Sequence, residues 1–135
     1  MFDKPFRLQI ITPTRVVYQD DALSVSAPGA LGGFQVLYNH APLLSALEIG
    51  EIKVKKTDGG ELHFATAGGF IEVKQNEVVV LADSAELASD VDSVRAERAR
   101  ERAESRLHSK DPAVDPERAR LAMLRALNRL RIVGR

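Results

Sequence analysis

The sequence predicts an all-β N-terminal domain of residues 1–86, folded as a sandwich or barrel, followed by a C-terminal antiparallel α-helical hairpin of residues 87–135. In the first part, apolar and polar residues alternate with a period of two, as in half-buried strands. In the second part, Ala and Arg dominate, as in helices. Glycine follows the same division, because eight of the nine glycines lie at or before Gly69. We therefore expect two structural units in this chain of 135 residues.

Short alternating segments carry the β-prediction. Turn signals separate these segments at residues 12–13, 28–29 and 58–60, and Gln75-Asn76 suits a tight hairpin. Many short strands at regular spacing are typical of an all-β sandwich or barrel. The apolar residues expected on the inner face of four segments are Phe6, Leu8 and Ile10; Leu23 and Val25; Ile52 and Val54; and Leu62 and Phe64.

Residues 91–109 predict the first helix of the hairpin, because they contain neither Gly nor Pro. Asp90 or Asp92 can cap its start. The second helix begins at Asp115-Pro116, with Asp as N-cap and Pro at the first helical position, and runs to about Val133. The apolar stripe expected on the second helix consists of Ala119, Ala122, Met123, Ala126, Leu127, Leu130 and Val133.

The first helix offers a narrower apolar face, made mainly of Ala96, Ala99, Ala103 and Leu107. We therefore expect the two helices to pack across an alanine seam that buries little apolar area. At roughly 25 cal/mol per Å², such a pair is not expected to be stable alone. The hairpin must dock on the β-domain or on a partner.

The net charge of zero hides two opposite parts. Residues 1–86 hold 7 basic and 11 acidic side chains, a net charge of −4. Residues 87–135 hold 12 basic and 8 acidic side chains, a net charge of +4. The carboxylates interleaved with the arginines of the second part, and its lack of aromatic side chains, argue against a nucleic-acid partner.

No pattern typical of a catalytic or metal site is present. The chain has no Cys, and its three histidines lack metal-ligand spacing. The glycines of residues 29–33 lack the Lys-Ser/Thr ending of a phosphate-binding loop. Pro and Gly interrupt the uncharged residues 22–47, which argues against a transmembrane helix. We expect neither an enzyme nor a metal site, and no required cofactor.

Several unusual strings of this sequence occur in an order that resembles a known family. The strings resemble the epsilon subunit of bacterial F-type ATP synthase over about residues 6 to 132. One departure is Tyr38, where the family usually has Pro. The principal strings are VLYNHAPLL at 36–44, AGGFIEV at 67–73, VLADSAE at 80–86 and RALNRL at 125–130.

This resemblance implies a β-sandwich of about ten strands followed by two antiparallel helices. It implies a non-catalytic rotor subunit in the central stalk of the proton-translocating enzyme, which turns with the gamma subunit on the c-ring. Its further partners would be the alpha and beta subunits. Its membrane association would be indirect, at the cytoplasmic face of the bacterial inner membrane.

The resemblance also implies that the hairpin either folds against the sandwich or extends into the catalytic head, where it blocks ATP hydrolysis. The opposite net charges of the two parts favour the folded form. The same basic helices could instead meet acidic loops of the beta subunits. The choice between two docked states then depends on a difference in binding free energy.

A contact surface for the gamma subunit or the c-ring is expected in the uncharged loop region, because binding residues are often carried by loops on a rigid scaffold. The alternative is that these residues only shape a turn. The residues of this expected contact loop are Pro28, Gly29, Asn39, His40 and Pro42.

Some members of the family bind regulatory ATP in the folded hairpin, and VDSVRA at 91–96 resembles their motif with Val in the first place. The resemblance implies that carboxylates accept hydrogen bonds from the adenine amine and that guanidinium groups bind the triphosphate. Alternatively, Asp92 only caps the helix, Arg95 pairs locally, and the other arginines contact solvent or partners. A second function, a free-standing ATP-sensing module, stays open. The expected ATP-binding residues are Glu86, Asp92, Arg95, Ala96, Arg125 and Arg129.

Overall fold

The computed structural model describes residues 4–135, so the first three residues of the predicted β-domain lie outside the described part. A one-turn 3-10 helix, Ala88–Asp90, connects the strands to the helices α1 (Ser93–His108) and α2 (Pro116–Ile132). The division predicted between residues 86 and 87 falls inside the last strand. The strands are β1 (Phe6–Ile11), β2 (Val16–Ala27), β3 (Phe34–Val36), β4 (Leu43–Lys56), β5 (Glu61–Lys74), β6 (Glu77–Ala82) and β7 (Ala85–Leu87).

The strands form a sheet that closes on itself. The hydrogen-bonded order is β1-β6-β5-β4-β2-β3, and β1 pairs with β2 as well as with β6. The strand β1 therefore closes the ring. The short strands β3 and β7 are attached to it by pairing with β2 and β5, respectively. Only the β1–β6 pair is parallel among the described pairings. This is the predicted all-β architecture, because closure encloses one side of every long strand.

The structure has seven strands rather than about ten, because three of them are long. β2 has a register shift between Ala22 and Ser24. β5 contains Gly68 and Gly69 with φ of +114° and +136°, a conformation that favours glycine and allows the strand to bend. Dividing β2, β4 and β5 once each gives ten segments. The register shift also explains why Ala22 is buried and Leu23 only half-buried.

The core lies inside the closed sheet and contains most of the alternating residues that the sequence predicts, except that Leu23 lies outside it and Leu62 is only partly buried. It is made mainly of branched aliphatic side chains and alanines from the strands, together with Phe6 and Phe64. Leu8, Ile10 and Ile52 are fully buried. The tight hairpin at Gln75-Asn76 is confirmed, since both residues have positive φ values of 51° and 59° and join β5 to β6.

Of the two caps expected for the first helix, the structure uses Asp92, whereas Asp90 belongs to the preceding 3-10 helix; the cap predicted for the second helix is confirmed. The side chain of Asp92 accepts a hydrogen bond from the Arg95 N–H at the start of α1. The side chain of Asp115 accepts from the N–H groups of Glu117 and Arg118, and Pro116 follows it as the first residue of α2. These hydrogen bonds satisfy N–H groups that have no partner inside the helix.

The helix α2 lies between α1 and the sandwich and is buried on two opposite faces. Ala119 and Ala126 are buried on one face, and Ala96 and Ala103 are buried on α1, which confirms the alanine seam. Leu107, expected on the same face of α1, is exposed. Asn128 lies nine positions after Ala119, and at about 100° per residue this places it on the opposite face.

The single stripe predicted for α2 is therefore wrong in part. Leu127 is exposed, whereas Asn128 and Ile132 are buried against the sandwich. The periodic pattern missed the docking face because one of its members is polar. The helix α2 contacts β4 and β5, and α1 packs mainly on α2.

The docking contact involves the last two turns of α2. Ile132 is fully buried and packs with Ala65 of β5 and with Ala88 of the 3-10 helix. Arg129 Nε lies 3.1 Å from Glu86 Oε1. Arg135 Nε lies 3.4 Å from Glu51 Oε2. Both ion pairs join the basic hairpin to the acidic sandwich, in agreement with the opposite charges of the two parts.

The close approach of β5 to β6 gives a test of the fold. A Cβ atom at Gly69 would overlap the Leu81 carbonyl oxygen and lie 2.8 Å from the Ala82 Cα atom. We predict that Gly69→Ala lowers the free energy of unfolding by about 3 kcal/mol or more, since backbone atoms must shift. Denaturant unfolding monitored by circular dichroism measures this change.

The matched control is Gly59→Ala, because Gly59 also has a positive φ, +88°, but has no atom within 4 Å of the added Cβ. Its cost is expected to be about 1 kcal/mol, from the left-handed backbone alone. Equal destabilisation by the two substitutions would contradict the close contact between β5 and β6.

Candidate functional site

A cavity of about 360 Å³ lies where β7, the start of α1 and the end of α2 meet. Its size lies within the range of small-molecule sites. It collects five of the six residues expected to bind ATP, and the sixth, Arg125, does not line it. The lining residues are Glu86, Asp90, Asp92, Arg95, Ala96, Ala99, Arg102 and Arg129.

Local structure explains how these side chains come together. Glu86 belongs to β7 and pairs with Ala65 of β5 on the face that α2 covers. Arg95, Ala99 and Arg102 are spaced by four and three residues and therefore share one face of α1. The small side chains of Ala96 and Ala99 leave space between the charged groups, so the cavity stays open.

The cavity contains three carboxylates and three guanidinium groups. The one ion pair recorded between two of its lining residues, within residues 4–135, joins Arg129 to Glu86. Arg95 and Arg102 have no ion pair within 4 Å in the same part of the chain, so their planar donor groups are free to bind an anion. The lining therefore offers both guanidinium groups that can bind phosphate and carboxylates that can accept hydrogen bonds.

Asp92 caps α1, which is the expected alternative to a role in ligand binding. Its Oδ1 atom accepts the Arg95 N–H at 3.1 Å. The second carboxylate oxygen has no hydrogen-bond partner among the described residues, and Asp92 lines the cavity. The two roles are therefore compatible in this structure. The local pairing offered as the alternative for Arg95 is not formed.

Arg125 lies apart from the other expected ligands. It lines a cleft of about 690 Å³ between α2 and the sandwich, opposite Glu48 and Asp83. Arg125 and Arg129 share only a small gap of about 10 Å³. Spacing by four residues on one helix does not bring the two guanidinium groups into one cavity here, because Arg129 is held towards Glu86.

Three lining residues were missed by the sequence reasoning, namely Asp90, Ala99 and Arg102. Arg102 could have been found, because it lies seven positions after Arg95 and so on the same helical face. Asp90 could not, because its place depends on the 3-10 turn that precedes α1.

The outer face of α1 carries a charge network that is separate from the cavity. The Arg100 guanidinium donates to Glu97 and Glu104, with an Nη1–Oε2 distance of 2.7 Å to Glu104. These hydrogen bonds hold the pKa of the Glu97 carboxyl below its usual value. Arg100 is therefore already paired and is not a free anion-binding group.

The expected contact loop consists of two parts that are attached to different places. Asn39, which has a φ of +65°, accepts and donates hydrogen bonds with Asn76 in the β5–β6 turn. Gly29 instead forms a bridge with Leu47 in the middle of β4. His40 and Pro42 follow Asn39, and Pro28 accepts a hydrogen bond from the Glu48 N–H. The hydrogen bonds of Asn39 therefore agree with the alternative that these residues shape a turn.

A row of apolar residues crosses the outside of the closed sheet. Register partners point to the same face of a sheet, and Ala46 pairs with Phe70, Phe70 with Leu81, and Leu81 with Ile11. Ile11 in turn pairs with Val16. Phe70 and Leu81 are each 55% exposed and Val16 is 51% exposed. We call these five residues the apolar row, and the sequence reasoning did not identify it.

Residues 4–135 contain no group of three or more His, Cys, Asp or Glu side chains that could hold a metal ion. In the same part of the chain, no helix is long and apolar enough to cross a membrane. His63 Nδ1 lies 3.6 Å from Glu51 Oε1.

Two family models match successive parts of the chain. The model described as ATP synthase, Delta/Epsilon chain, beta-sandwich domain matches residues 5–88. The model described as ATP synthase, Delta/Epsilon chain, long alpha-helix domain matches residues 89–134. Together they cover the sandwich and the hairpin.

Relatives with sequence identity over nearly the whole chain carry the same name. The ATP synthase epsilon chain of Desulforamulus reducens is 45% identical over 129 residues, which cover 95% of this chain and 96% of that relative. The ATP synthase epsilon chain of Nitratidesulfovibrio vulgaris is 46% identical over 132 residues, covering 98% of each.

Solved structures share the fold at low sequence identity. A chain of the Euglena gracilis mitochondrial ATP synthase, OSCP/F1/c-ring in rotational state 1, superposes with a TM-score of 0.79 at 20% identity and covers 89% of this chain and 76% of its own length. A chain of the Tetrahymena thermophila mitochondrial ATP synthase central stalk/c-ring has a TM-score of 0.54 at 14% identity. This superposition covers 93% of the present chain and 91% of the Tetrahymena chain. Both likenesses concern the fold. The two family models and the near-full-length relatives establish that this chain belongs to the family of ATP synthase epsilon chains.

Proposed function

We propose that the chain is a rotor subunit in the central stalk of a proton-translocating bacterial F-type ATP synthase, where it couples c-ring rotation to ATP synthesis. The observation that carries this proposal is family membership over both domains, from residue 5 to residue 134. As an epsilon chain it is a non-catalytic subunit of the complex. Its association with the bacterial inner membrane, at the cytoplasmic face, is indirect and peripheral.

The apolar row is the proposed surface for the gamma subunit. Its members come from five neighbouring strands, so the surface is broad and its backbone is fixed by the sheet. Exposed contiguous apolar patches mark protein–protein contacts. The row is separate from the docked hairpin, so gamma binding is compatible with either position of the hairpin.

We propose that the c-ring contacts the loop tip near Pro28 and Gly29, where Leu31 is fully exposed. An apolar side chain presented at the tip of an uncharged loop suits a protein partner. Asn39, His40 and Pro42 form a second candidate contact just before the start of β4, held by the hydrogen bonds between Asn39 and Asn76.

Gamma binding tests the rotor proposal directly. We predict that Phe70→Glu weakens binding to the purified gamma subunit by about 100-fold or more, because it places a charge at the centre of the apolar row. Titration calorimetry with the full chain measures the affinity. Val94→Glu is the control, since Val94 is 59% exposed on α1, outside the row. Equal effects of the two substitutions would contradict the assignment of this surface.

We further propose that the hairpin regulates ATP hydrolysis by the complex. Two ion pairs, one buried apolar side chain and a hydrogen bond from Asn128 to the Gly50 carbonyl oxygen hold it to the sandwich. Its basic helices can exchange these carboxylates for acidic groups of the beta or alpha subunits. A small docking contact makes the two positions close in free energy, so a ligand or partner can select between them.

Removal of the hairpin tests this regulatory role. A chain that ends after Val91 keeps β7 and the 3-10 helix but lacks both α-helices. We predict that an ATP synthase reconstituted with this chain hydrolyses ATP faster than one with the full chain, because the inhibitory position can no longer be occupied. Unchanged hydrolysis would contradict the inhibitory role and leave the rotor role intact.

We propose the cavity of about 360 Å³ as the site for regulatory ATP. Glu86 and Asp92 would accept hydrogen bonds from the adenine amine. Arg95, Arg102 and Arg129 would bind the phosphates. Bound ATP would stabilise the docked hairpin, because the cavity exists only when β7, α1 and α2 are together. Should gamma binding fail, the same cavity would support the second function, a free-standing ATP-sensing module.

Calorimetry with ATP tests the site. We predict that Arg95→Ala weakens ATP binding by about tenfold or more, since it removes a charged hydrogen-bond donor. Arg98→Ala is the matched control, because Arg98 is exposed on α1 outside the cavity. Arg125→Ala shows whether that guanidinium swings in from the neighbouring cleft. Absence of binding heat for the unchanged chain at millimolar ATP would overturn the assignment.

A further inference from the structure

Within residues 4–135, Asn128 is the one buried polar residue of α2, with 5% of its surface exposed. A buried amide is costly unless its hydrogen bonds are made. Its position on the face that meets the sandwich, rather than on the alanine seam, makes it part of the docking contact.

The hydrogen bonds of Asn128 cross from the hairpin to the sandwich. Its Nδ2 atom donates to the Gly50 carbonyl oxygen at 2.8 Å and approaches the Thr66 carbonyl oxygen at 3.5 Å. Its Oδ1 atom accepts from Arg131 Nη2 at 2.7 Å. The two backbone carbonyls can only accept, so the NH₂ end of the amide must face them.

Gly50 and Thr66 lie directly opposite each other on β4 and β5. The amide of Asn128 therefore contacts β4 and β5 at one pair of opposite residues. The contacts span 78 and 62 positions of sequence. By contrast, the other docking contacts are an aliphatic side chain, whose packing has no directional hydrogen bond, and two ion pairs of long, flexible arginines.

We propose that Asn128 is a positioning residue that permits only one register of the docked hairpin on the sandwich. This inference rests on the proposed exchange of the hairpin between positions. A slide of α2 by one helical turn, about 5.4 Å, would bring Leu124 or Ile132 opposite the two carbonyls. Neither side chain can donate a hydrogen bond, so the misplaced hairpin is rejected.

This role differs from adhesion. When the hairpin leaves, water can hydrogen-bond to Asn128 and to the exposed carbonyls, so the amide contributes less to docking strength than to docking specificity. A hairpin that must dock repeatedly, in one position that completes the cavity of Glu86 and Arg129, needs such a specific contact. An apolar residue at position 128 would favour docking but would not select the register.

Spin labels on the full chain test this role without any partner subunit. The sequence has no Cys, so Lys55→Cys and Ser105→Cys, both at exposed positions, place one label on β4 and one on α1. Distances measured by double electron–electron resonance then report the hairpin position. The labelled chain that keeps Asn128 should give one narrow distribution of distances between the two labels.

Two substitutions of Asn128 in the labelled chain are compared. Asn128→Asp keeps the shape but turns a carboxylate towards two carbonyl oxygens, and we expect the docked fraction to fall by roughly tenfold or more. Asn128→Leu removes the donor and keeps the size, and we expect the hairpin to remain docked with a broadened or multiple distance distribution.

Leu127→Asp is the matched control, because it adds the same charge on the same turn of α2 at a position that is 42% exposed. It should retain the narrow distribution. The proposal is overturned if Asn128→Asp behaves like Leu127→Asp, or if Asn128→Leu keeps the single narrow distribution. Because the isolated chain is measured, failure of gamma binding or of inhibition would not change this result.

Discussion

The contact between the last two turns of α2 and the outer faces of β4 and β5 is the interaction on which the rest of the arrangement depends. It holds α1 in place as well, since α1 packs mainly on α2. It is small and mixed in character, with Ile132 as its apolar centre and Asn128 beside it. The first turns of α2 lie across an open cleft from the sandwich. Docking is thus specific in position without being extensive.

The closed sheet allows the hairpin to leave this contact without unfolding the sandwich. Because β1 pairs with both β6 and β2, the sandwich keeps its own core whether the hairpin is docked or not. Its outer surface carries the hairpin at Gly50 and Thr66 and a separate apolar row around Phe70. A rigid unit with separate surfaces can stay attached to the rotor while its second unit moves, as proposed for regulation. The cavity at Glu86 then exists only in the docked form.

Local signals let the sequence predict much of the fold. Helix starts depend on neighbouring residues, so Asp92 and Asp115 identify them correctly, and the turn at Gln75-Asn76 is equally local. The docking face of α2 is not local, because Asn128 meets carbonyls of residues 62 and 78 positions away. Hydrophobic periodicity cannot find a polar residue in a buried contact. The place of Arg125 is not local either, because Arg129 is held towards Glu86 of the sandwich while Arg125 lines a different cleft.

Native-state hydrogen exchange of the full chain tests the central claim, a separately and weakly held hairpin. The account predicts that amides of α1 and α2 exchange through a shared opening of lower free energy than that of the core strands β1, β5 and β6. Moderate salt should lower the opening free energy of the hairpin further, because Glu86 and Glu51 bind its arginines. Equal opening free energies for helices and core strands would contradict the account.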